Sequence, residues 1–136
     1  MIHQKQITLP PFKRGFHLIS DIIVREIDFF PETGILNLFL QHTSAALSLN
    51  ENADSDVRID LEAFMNQLIP ENGFNYVHSS EGKDDMPAHI KSSLFGTSIN
   101  IPITRSRMNL GIWQGIYLCE FRNSGSRRTI IASIYS

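Results

Sequence analysis

The order of strand and helix patterns along the chain constrains its fold more than any other feature of the sequence. The region after Gly96 shows the two-residue apolar alternation of strands, for example at Ile99, Ile101 and Ile103. Two helix patterns precede this region, and other strand patterns precede the helices. Strands and helices that are segregated in this way favour an α+β fold over a parallel α/β fold. We therefore predict an α+β fold.

The two helix patterns carry recognisable start signals. Asp54 or Ser55 can cap the first helix. The second helix is predicted to start near Pro87 and to end at Gly96. In the second helix, Ile90 and Leu94 are predicted to face inward. The first helix has five apolar residues at helical spacing, which we expect to face the core: Val57, Leu61, Phe64, Met65 and Leu68.

The end of the chain is predicted to form an antiparallel meander. Its strands are expected at Leu110–Trp113, Ile116–Arg122 and Arg127–Tyr135. The sequence NSGS at residues 123–126 has the composition of a hairpin turn between the last two strands.

Length and composition favour one small globular domain. The 136 residues fit a single domain spanning residues 1–136, and 42% hydrophobic with 19% charged residues is typical of such a domain. The net charge of -2 provides no basic field for nucleic acid or anionic lipid, so we expect neither as a partner. The apolar runs are strand-sized and no secretory signal pattern is visible at the N-terminus, which favours a cytoplasmic protein. The single cysteine, Cys119, excludes an internal disulfide framework.

The segment Tyr76–Gly96 has the composition of a functional site. It contains two histidines, a glutamate and two aspartates, side chains that move protons and hold divalent metals near neutral pH: His78, Glu81, Asp84, Asp85 and His89. A third histidine, His42, follows an apolar strand. Three neutral imidazoles can hold a zinc-like ion with one position open for water, so His42, His78 and His89 are candidate metal ligands. Alternatively, His42 is a hydrogen-bonded core histidine and the other two are exposed loop residues.

Carboxylates and amides complete the set of candidates. Glu81 is a candidate general base or a partner that orients a histidine. For Asp84 and Asp85 we favour helix capping over a chemical role. Asn52 and Gln114 are candidate ligand-binding residues. Asn52 lies near the start of the first helix, where free N–H groups attract anions, and Gln114 lies at a strand end between glycines.

Other charged positions are left with open interpretations. Glu120 lies among apolar strand residues; if its face is buried it must be paired, with Arg122 or Arg107 as the nearby candidates, and exposure to solvent is the equal alternative. Asp54 is either a cap or a ligand contact. Arg127 and Arg128 are interpreted as part of a solvated edge strand, with a small basic patch shared with Arg122 as the alternative.

Four stretches of the chain together resemble the YjbQ-type family of small proteins. They are HTSAALSLNENADSDV (42–57), HSSEGKDDMPAHIKSSLFG (78–96), IPITRSRMNLGIWQGIYLCEF (101–121) and the closing RRTIIASI. The resemblance covers roughly residues 12–135. One departure is EFRN, where an acidic residue is common in place of Arg122 or Asn123, which weakens any role assigned to charge at that point.

The resemblance implies a fold, an assembly and a site. It implies an antiparallel β-sandwich flanked by helices and a homotrimer. It also implies that His42, His78 and His89 gather with Glu81 near a subunit boundary, and that a weak thiamine-phosphate synthase activity is described for some members.

Two functional hypotheses follow. The first is a small trimeric enzyme, a thiamine-phosphate synthase-like transferase, with a divalent metal of unknown identity. In it, Glu81 and His89 act in catalysis and Asn52 and Gln114 orient a phosphorylated small molecule. The second is a non-enzymatic trimeric protein that binds a small anion or a metal in the same pocket. A third possibility is that the histidines only stabilise subunit contacts.

Overall fold

The computed structural model describes residues 1–136 as eight strands and three helices. The first half of the chain contains β1 (Ile2–Thr8), β2 (Lys13–Leu18), α1 (Ser20–Glu26), β3 (Thr33–Leu40), β4 (Ala45–Glu51) and α2 (Ser55–Leu68). The second half contains α3 (Asp85–Phe95), β5 (Ser98–Thr104), β6 (Arg107–Met108), β7 (Gln114–Ser124) and β8 (Thr129–Tyr135). The architecture is α+β with antiparallel strands, as predicted.

The strands form two antiparallel sheets. The larger sheet has the order β1-β8-β3-β5-β6, and the smaller has the order β2-β7-β4. Between the sheets lies a core of 16 buried residues drawn from both, including Leu38 and Ile101 of the larger sheet and Leu118 of the smaller one. In this core the inward-facing apolar side chains of both sheets are buried, and their removal from water is the main driving force for the fold.

A second core lies on the opposite face of the smaller sheet. There α2 and α3 cover Phe16, Tyr117 and Phe121, with Met65 from α2 and Ala88 from α3 among the buried contacts. These two helices therefore cover only one side of the sandwich, whereas Ile23 of α1 belongs to the core between the sheets. The outer face of the larger sheet carries no helix, and its apolar residues Ile35 and Phe39 are exposed.

The predicted meander is wrong at two points. The strand expected at Leu110–Trp113 does not form, because β6 ends at Met108 and a turn precedes β7. The predicted hairpin at residues 123–126 does not pair β7 with β8 either. Instead β7 pairs with β2 and β4 while β8 pairs with β1 and β3, so this connection crosses from one sheet to the other.

Several apolar helix residues do not face the core as predicted. Met65 is buried, but Phe64 and Leu68 of the same helix are 62% and 57% exposed, and Leu94 of α3 is 62% exposed. Helical spacing identifies the apolar face of a helix. How much of that face is buried depends on how much of the sheet lies beneath the helix. Asp54 caps α2 as predicted, since its side chain accepts a hydrogen bond from the backbone N–H of Asp56.

None of the three helices combines the length and the apolar character that crossing a membrane would require.

The two layers predict contrasting effects of truncation. Leu38→Ala should lower the free energy of unfolding by about 2–5 kcal/mol, because it removes a fully buried side chain from the core between the sheets. Phe64→Ala should change it by less than about 0.5 kcal/mol, because that ring is mostly exposed. Urea unfolding of both variants measures the difference, and equal losses would contradict this layering.

Candidate functional site

The start of α3 organises the candidate site. Asp85 is its first residue, and His89 follows four positions later, so the two side chains lie on the same face of the helix. Asp85 is 1% exposed, although it belongs to a residue type that is seldom fully buried without partners. The loop that precedes the helix folds back and places His78 against the same carboxylate.

One carboxylate oxygen meets both histidines. The Nε2 atom of His78 lies 2.6 Å from Oδ2 of Asp85, and the Nε2 atom of His89 lies 3.1 Å from the same oxygen. The two imidazole rings are 5.4 Å apart between centroids. The structure thus brings together His78 and His89, as predicted, and adds Asp85, which was interpreted as a cap.

Arg122, at the end of β7, holds this group from the other side. Its guanidinium donates to Oδ1 of Asp85 at 2.6 Å, to Oδ2 of Asp84 at 2.9 Å and to the backbone carbonyl of Glu81 at 3.1 Å. Asp84 also accepts from the backbone N–H of Asn123, and its side chain makes no capping bond to α3. The capping interpretation of these aspartates is therefore wrong. Arg122 pairs with both of them, although the departure from the family pattern weakens a role for charge at that point.

The surroundings keep Asp85 ionised. Burial alone raises the pKa of this carboxyl group, but the hydrogen bond from His78 and the nearby charges of His89 and Arg122 outweigh burial. The resulting pKa lies below the usual value of an aspartate. Near neutral pH the group therefore presents a buried negative charge to the two histidines.

The proton on His89 is fixed by a backbone contact. Its Nδ1 atom lies 2.8 Å from the carbonyl oxygen of Thr43, which can only accept a hydrogen bond, so Nδ1 carries a proton. In the neutral ring Nε2 then carries a lone pair, which faces the carboxylate oxygen of Asp85. Two acceptors at this distance repel one another unless a second proton or a metal cation lies between them.

The donor set fits a divalent metal. His78, Asp85 and His89 each offer one ligand atom, and these atoms lie within 4.8 Å of one another. The two Nε2–Oδ2 separations, 2.6 Å and 3.1 Å, are shorter than the roughly 3.4 Å expected between neighbouring ligands of a tetrahedral zinc ion, so a bound ion would need these atoms to move slightly apart. The Thr43 carbonyl on His89 and the Arg122 guanidinium on Asp85 are the kind of outer contacts that orient metal ligands.

His42 lies in the cleft beside His89 but outside this ligand group. Its Nε2 atom accepts a hydrogen bond of 2.8 Å from the backbone N–H of Thr129. Burial, and next the charge of Arg128, lower the pKa of His42, so its ring is held neutral. The assignment of His42 as a metal ligand stays a prediction, and it would require Nε2 to give up its bond to Thr129 or Nδ1 to lose its proton.

The cleft that contains His42 and His89 is lined by no hydrophobic residue. It has a volume of about 430 Å³ and is lined by the two histidines, hydroxyl-bearing side chains and one glycine: His42, Thr43, His89, Ser92, Ser93, Gly96 and Thr97. No carboxylate lines it. A cleft with this lining suits an anionic or strongly hydrated ligand.

Asn52 and Gln114 lie elsewhere in the protomer. They are neighbours of each other, since the Asn52 amide donates to the backbone carbonyl of Gln114 at 3.2 Å. Both lie at the end of β4 opposite to Thr43, and a strand as long as Ala45–Glu51 separates the two ends by about 20 Å. One protomer therefore does not bring these two residues to the histidines.

Two acidic candidates have distinct environments. The side chain of Glu81 is exposed and makes no hydrogen bond, although its backbone carbonyl is held by Arg122. Glu120 is fully buried and pairs with Arg128, and not with Arg122 or Arg107 as predicted. The interpretation of Arg128 as a solvated residue is wrong, because it is 5% exposed.

Sequence and structure comparisons identify the relatives of this chain. A family model described as "UPF0047 protein YjbQ-like" matches residues 5–136. The UPF0047 protein YjbQ of Escherichia coli O157:H7 is 50% identical over 136 residues, covering 98% of each chain. The chain belongs to the YjbQ-like UPF0047 family.

Two solved structures share the fold. A conserved hypothetical protein from Thermus thermophilus aligns with a TM-score of 0.82 at 29% identity, covering 93% of this chain and 97% of that one. A YbjQ-like protein of unknown function from Sulfolobus solfataricus aligns with a TM-score of 0.83 at 21% identity, covering 98% and 96%. The second likeness concerns the fold alone.

Sequence reasoning missed Asp85 and Arg122 as members of the site. A signal for Asp85 was present, because Asp85 and His89 have the four-residue spacing that places two side chains on one helical face. Arg122 had no comparable signal, since its contact with α3 depends on how far β7 extends beneath the helices.

The lowered pKa of His42 makes a prediction about acid stability. Below about pH 6.5 an unfolded histidine binds a proton while the folded His42 does not, so folding stability is lost as pH falls towards the folded pKa. His42→Gln should reduce this loss, because an amide oxygen can accept from Thr129 without titrating. Urea unfolding at about pH 7.5 and about pH 5.5 measures the effect. His3→Gln serves as the matched control, and an unchanged pH dependence in His42→Gln would contradict the assignment.

Proposed function

We propose that this protein is a metal-dependent enzyme that acts on a phosphorylated small molecule. Its metal ligands in this proposal are His78, Asp85 and His89. The observation that carries the proposal is the contact of Asp85 Oδ2 with the Nε2 atoms of both histidines while Nδ1 of His89 is held by a backbone carbonyl. That arrangement leaves a lone pair beside a carboxylate, and a cation relieves the repulsion.

The chemistry of the site follows from its charges. A divalent metal bound there would polarise a phosphoryl oxygen or lower the pKa of a bound water. Arg122 keeps the Asp85 carboxylate fixed and ionised, and the hydroxyl groups of Thr43, Ser93 and Thr97 line the cleft in which the anionic part of a ligand would lie. Glu81 remains the proposed general base, since its side chain is exposed near the group and has no protein partner.

The proposed substrate is a phosphorylated compound of the thiamine-phosphate type. Support for this choice comes from the family resemblance and from the absence of any carboxylate in the lining of the cleft, which favours a negatively charged ligand. The activity proposed is thus a transferase of the thiamine-phosphate synthase type.

A second candidate function is the binding of a small anion or metal without turnover. It is favoured by the lining of the cleft, which includes no hydrophobic residue that would hold the organic part of a substrate. Assays of metal-loaded protein against phosphorylated small molecules separate the two candidates. Binding without product would support the second.

The metal proposal predicts the composition of purified protein. Untagged protein prepared without chelators should contain about one divalent metal per chain, and Asp85→Asn or His89→Ala should weaken metal binding at least about tenfold. Elemental analysis and titration with Zn²⁺, Mn²⁺ and Fe²⁺ give the content, the identity and the affinity.

The control variants change residues outside the site. His3→Ala and Asp28→Asn remove the same residue types from exposed positions and should leave the metal content unchanged. Less than about a tenth of an equivalent of any metal in the wild-type protein would contradict the proposal.

We also propose that the protein assembles as a homotrimer. The outer face of the larger sheet supports self-association, because β1, β3 and β8 bring four large apolar side chains together on it without a covering layer: Ile2, Ile35, Phe39 and Tyr135. A neighbouring protomer would also be needed if Asn52 and Gln114 are to reach a bound ligand.

Light scattering tests the assembly and its surface. The wild-type protein should have three times the chain mass of 15.5 kDa. Phe39→Glu should reduce that mass, because it places a charge on the uncovered face, whereas Val24→Glu on α1 should not. A monomeric wild-type protein, or a Phe39→Glu trimer, would contradict this proposal.

A further inference from the structure

A buried ion pair lies behind the cleft and takes no part in the metal-binding group. Arg128 donates to both carboxylate oxygens of Glu120, at 2.7 Å from Nε and 2.6 Å from Nη2. Glu120 is 0% and Arg128 5% exposed. A Cβ atom at Gly125 would collide with the Glu120 carboxylate, so the turn after β7 closes directly over the pair. A buried pair of this kind gives little net stability, yet its bidentate geometry fixes positions closely.

The pair holds the peptide that leads from His42 into β4. The same Nη2 atom of Arg128 donates to the hydroxyl of Ser44 at 3.0 Å and lies 3.4 Å from its carbonyl oxygen. The carbonyl of the preceding residue, Thr43, is the acceptor for Nδ1–H of His89. Arg128 therefore holds Ser44, and Ser44 in turn positions the Thr43 carbonyl. That carbonyl determines which nitrogen of His89 is protonated.

The residue after Arg128 fixes the other histidine. The backbone N–H of Thr129 donates to Nε2 of His42 at 2.8 Å, so the lone pair of a neutral His42 is on Nε2 and its proton is on Nδ1. Nδ1 of His42 has no partner within the protein, and the residue lines the cleft. The two neutral histidines thus have the same protonated nitrogen but different surroundings: His42 has a free N–H donor, whereas the lone pair of His89 faces the Asp85 carboxylate.

We infer that Arg128 and Glu120 are positioning residues that set the tautomers of His42 and His89, and that His42 donates its Nδ1–H to an anionic oxygen of the ligand in the cleft. The ligand group at this position must be a hydrogen-bond acceptor, since a cation or an N–H group would meet a donor, and among acceptors an oxyanion fits a cleft that no carboxylate lines. In this arrangement His42 contacts the ligand, and the metal-binding group consists of His78, Asp85 and His89. The tautomers do not depend on the proposed function, whereas the contact between His42 and the ligand rests on it.

The tautomers can be read in the metal-free wild-type protein. Long-range ¹H–¹⁵N correlation spectra of histidine-labelled protein distinguish protonated from unprotonated ring nitrogens. Both His42 and His89 should show protonated Nδ1 and unprotonated Nε2 at a pH where the rings are neutral. Protonated Nε2 on either ring would overturn the inference, and this result needs no variant.

Variants test whether Arg128 is the cause. Arg128→Met should release the Ser44 peptide, give His42 and His89 mixed tautomers, and weaken binding of inorganic phosphate roughly tenfold or more. Arg128→Lys should retain part of the tautomer preference and part of the phosphate affinity, because one ammonium can still bond to Glu120. Arg14→Met removes the cation of another ion-pair network, with Glu62 and Glu71, and should leave tautomers and phosphate affinity unchanged. Unchanged tautomers in a folded Arg128→Met protein would overturn the positioning role, and the double variant Glu120→Gln/Arg128→Met serves if the single variant does not fold.

Substitution of His42 tests its contact with the ligand. His42→Gln can accept from Thr129 with its oxygen and still donate with its amide, so it should keep metal binding and retain more phosphate affinity than His42→Leu. Equal loss in both variants would overturn the donor role, and loss of metal from His42→Gln would show that His42 is a ligand instead. If the wild-type protein binds no metal, the proposed function fails, while the tautomer spectra still decide the positioning role.

Discussion

Strand β7 is the constraint on which the rest of the structure depends. Seven consecutive residues, from Gly115 to Phe121, are buried, because the larger sheet covers one face of this strand and α2 and α3 cover the other. A strand buried on both faces has no solvent side for a charged residue. Glu120 therefore needs a partner inside the protein, and Arg128 supplies it. Just beyond the buried stretch, Arg122 lies beneath the start of α3 and holds two aspartates.

The two arginines connect the fold to the site from opposite sides. Arg122 fixes the Asp85 carboxylate, and Arg128 fixes the peptide that orients His89. Both contacts involve charges removed from water, where a missing partner costs several kcal/mol more than it does at the surface. The geometry of the candidate site is therefore a consequence of packing around one central strand, and not of the loop sequence that first suggested a site.

Local sequence patterns predicted features that depend only on neighbouring residues, such as a helix cap or the buried face of a strand. Asp54 caps α2 as its sequence indicates, and the alternation in β5 marks its buried isoleucines. Long-range pairing was not predictable in the same way. The turn at residues 123–126 has ordinary hairpin composition, yet it joins two different sheets, since nothing in four turn residues specifies which strand will be the hydrogen-bonding neighbour. The exposed Phe64 and Leu94 show the same limit for helices, whose period identifies a face but not the extent of its cover.

The residues of the candidate site show the same difference between what local sequence predicts and what depends on the fold. The histidines were identified from their residue type, which alone indicates proton transfer or metal binding. The role of Asp85 depends on its burial, because an exposed aspartate at a helix start is an ordinary helix-stabilising residue, whereas a buried one that touches two imidazoles and a guanidinium is part of a charged network. The same reasoning separates His42 from His89. Both are partly exposed histidines beside one cleft, and the backbone groups behind them, the Thr129 N–H and the Thr43 carbonyl, determine that a neutral His42 presents a proton while a neutral His89 directs a lone pair at Asp85. In the proposed function, a metal-bound phosphoryl group would meet both, because its oxygen accepts from His42 and its cation lies beside the His89 lone pair.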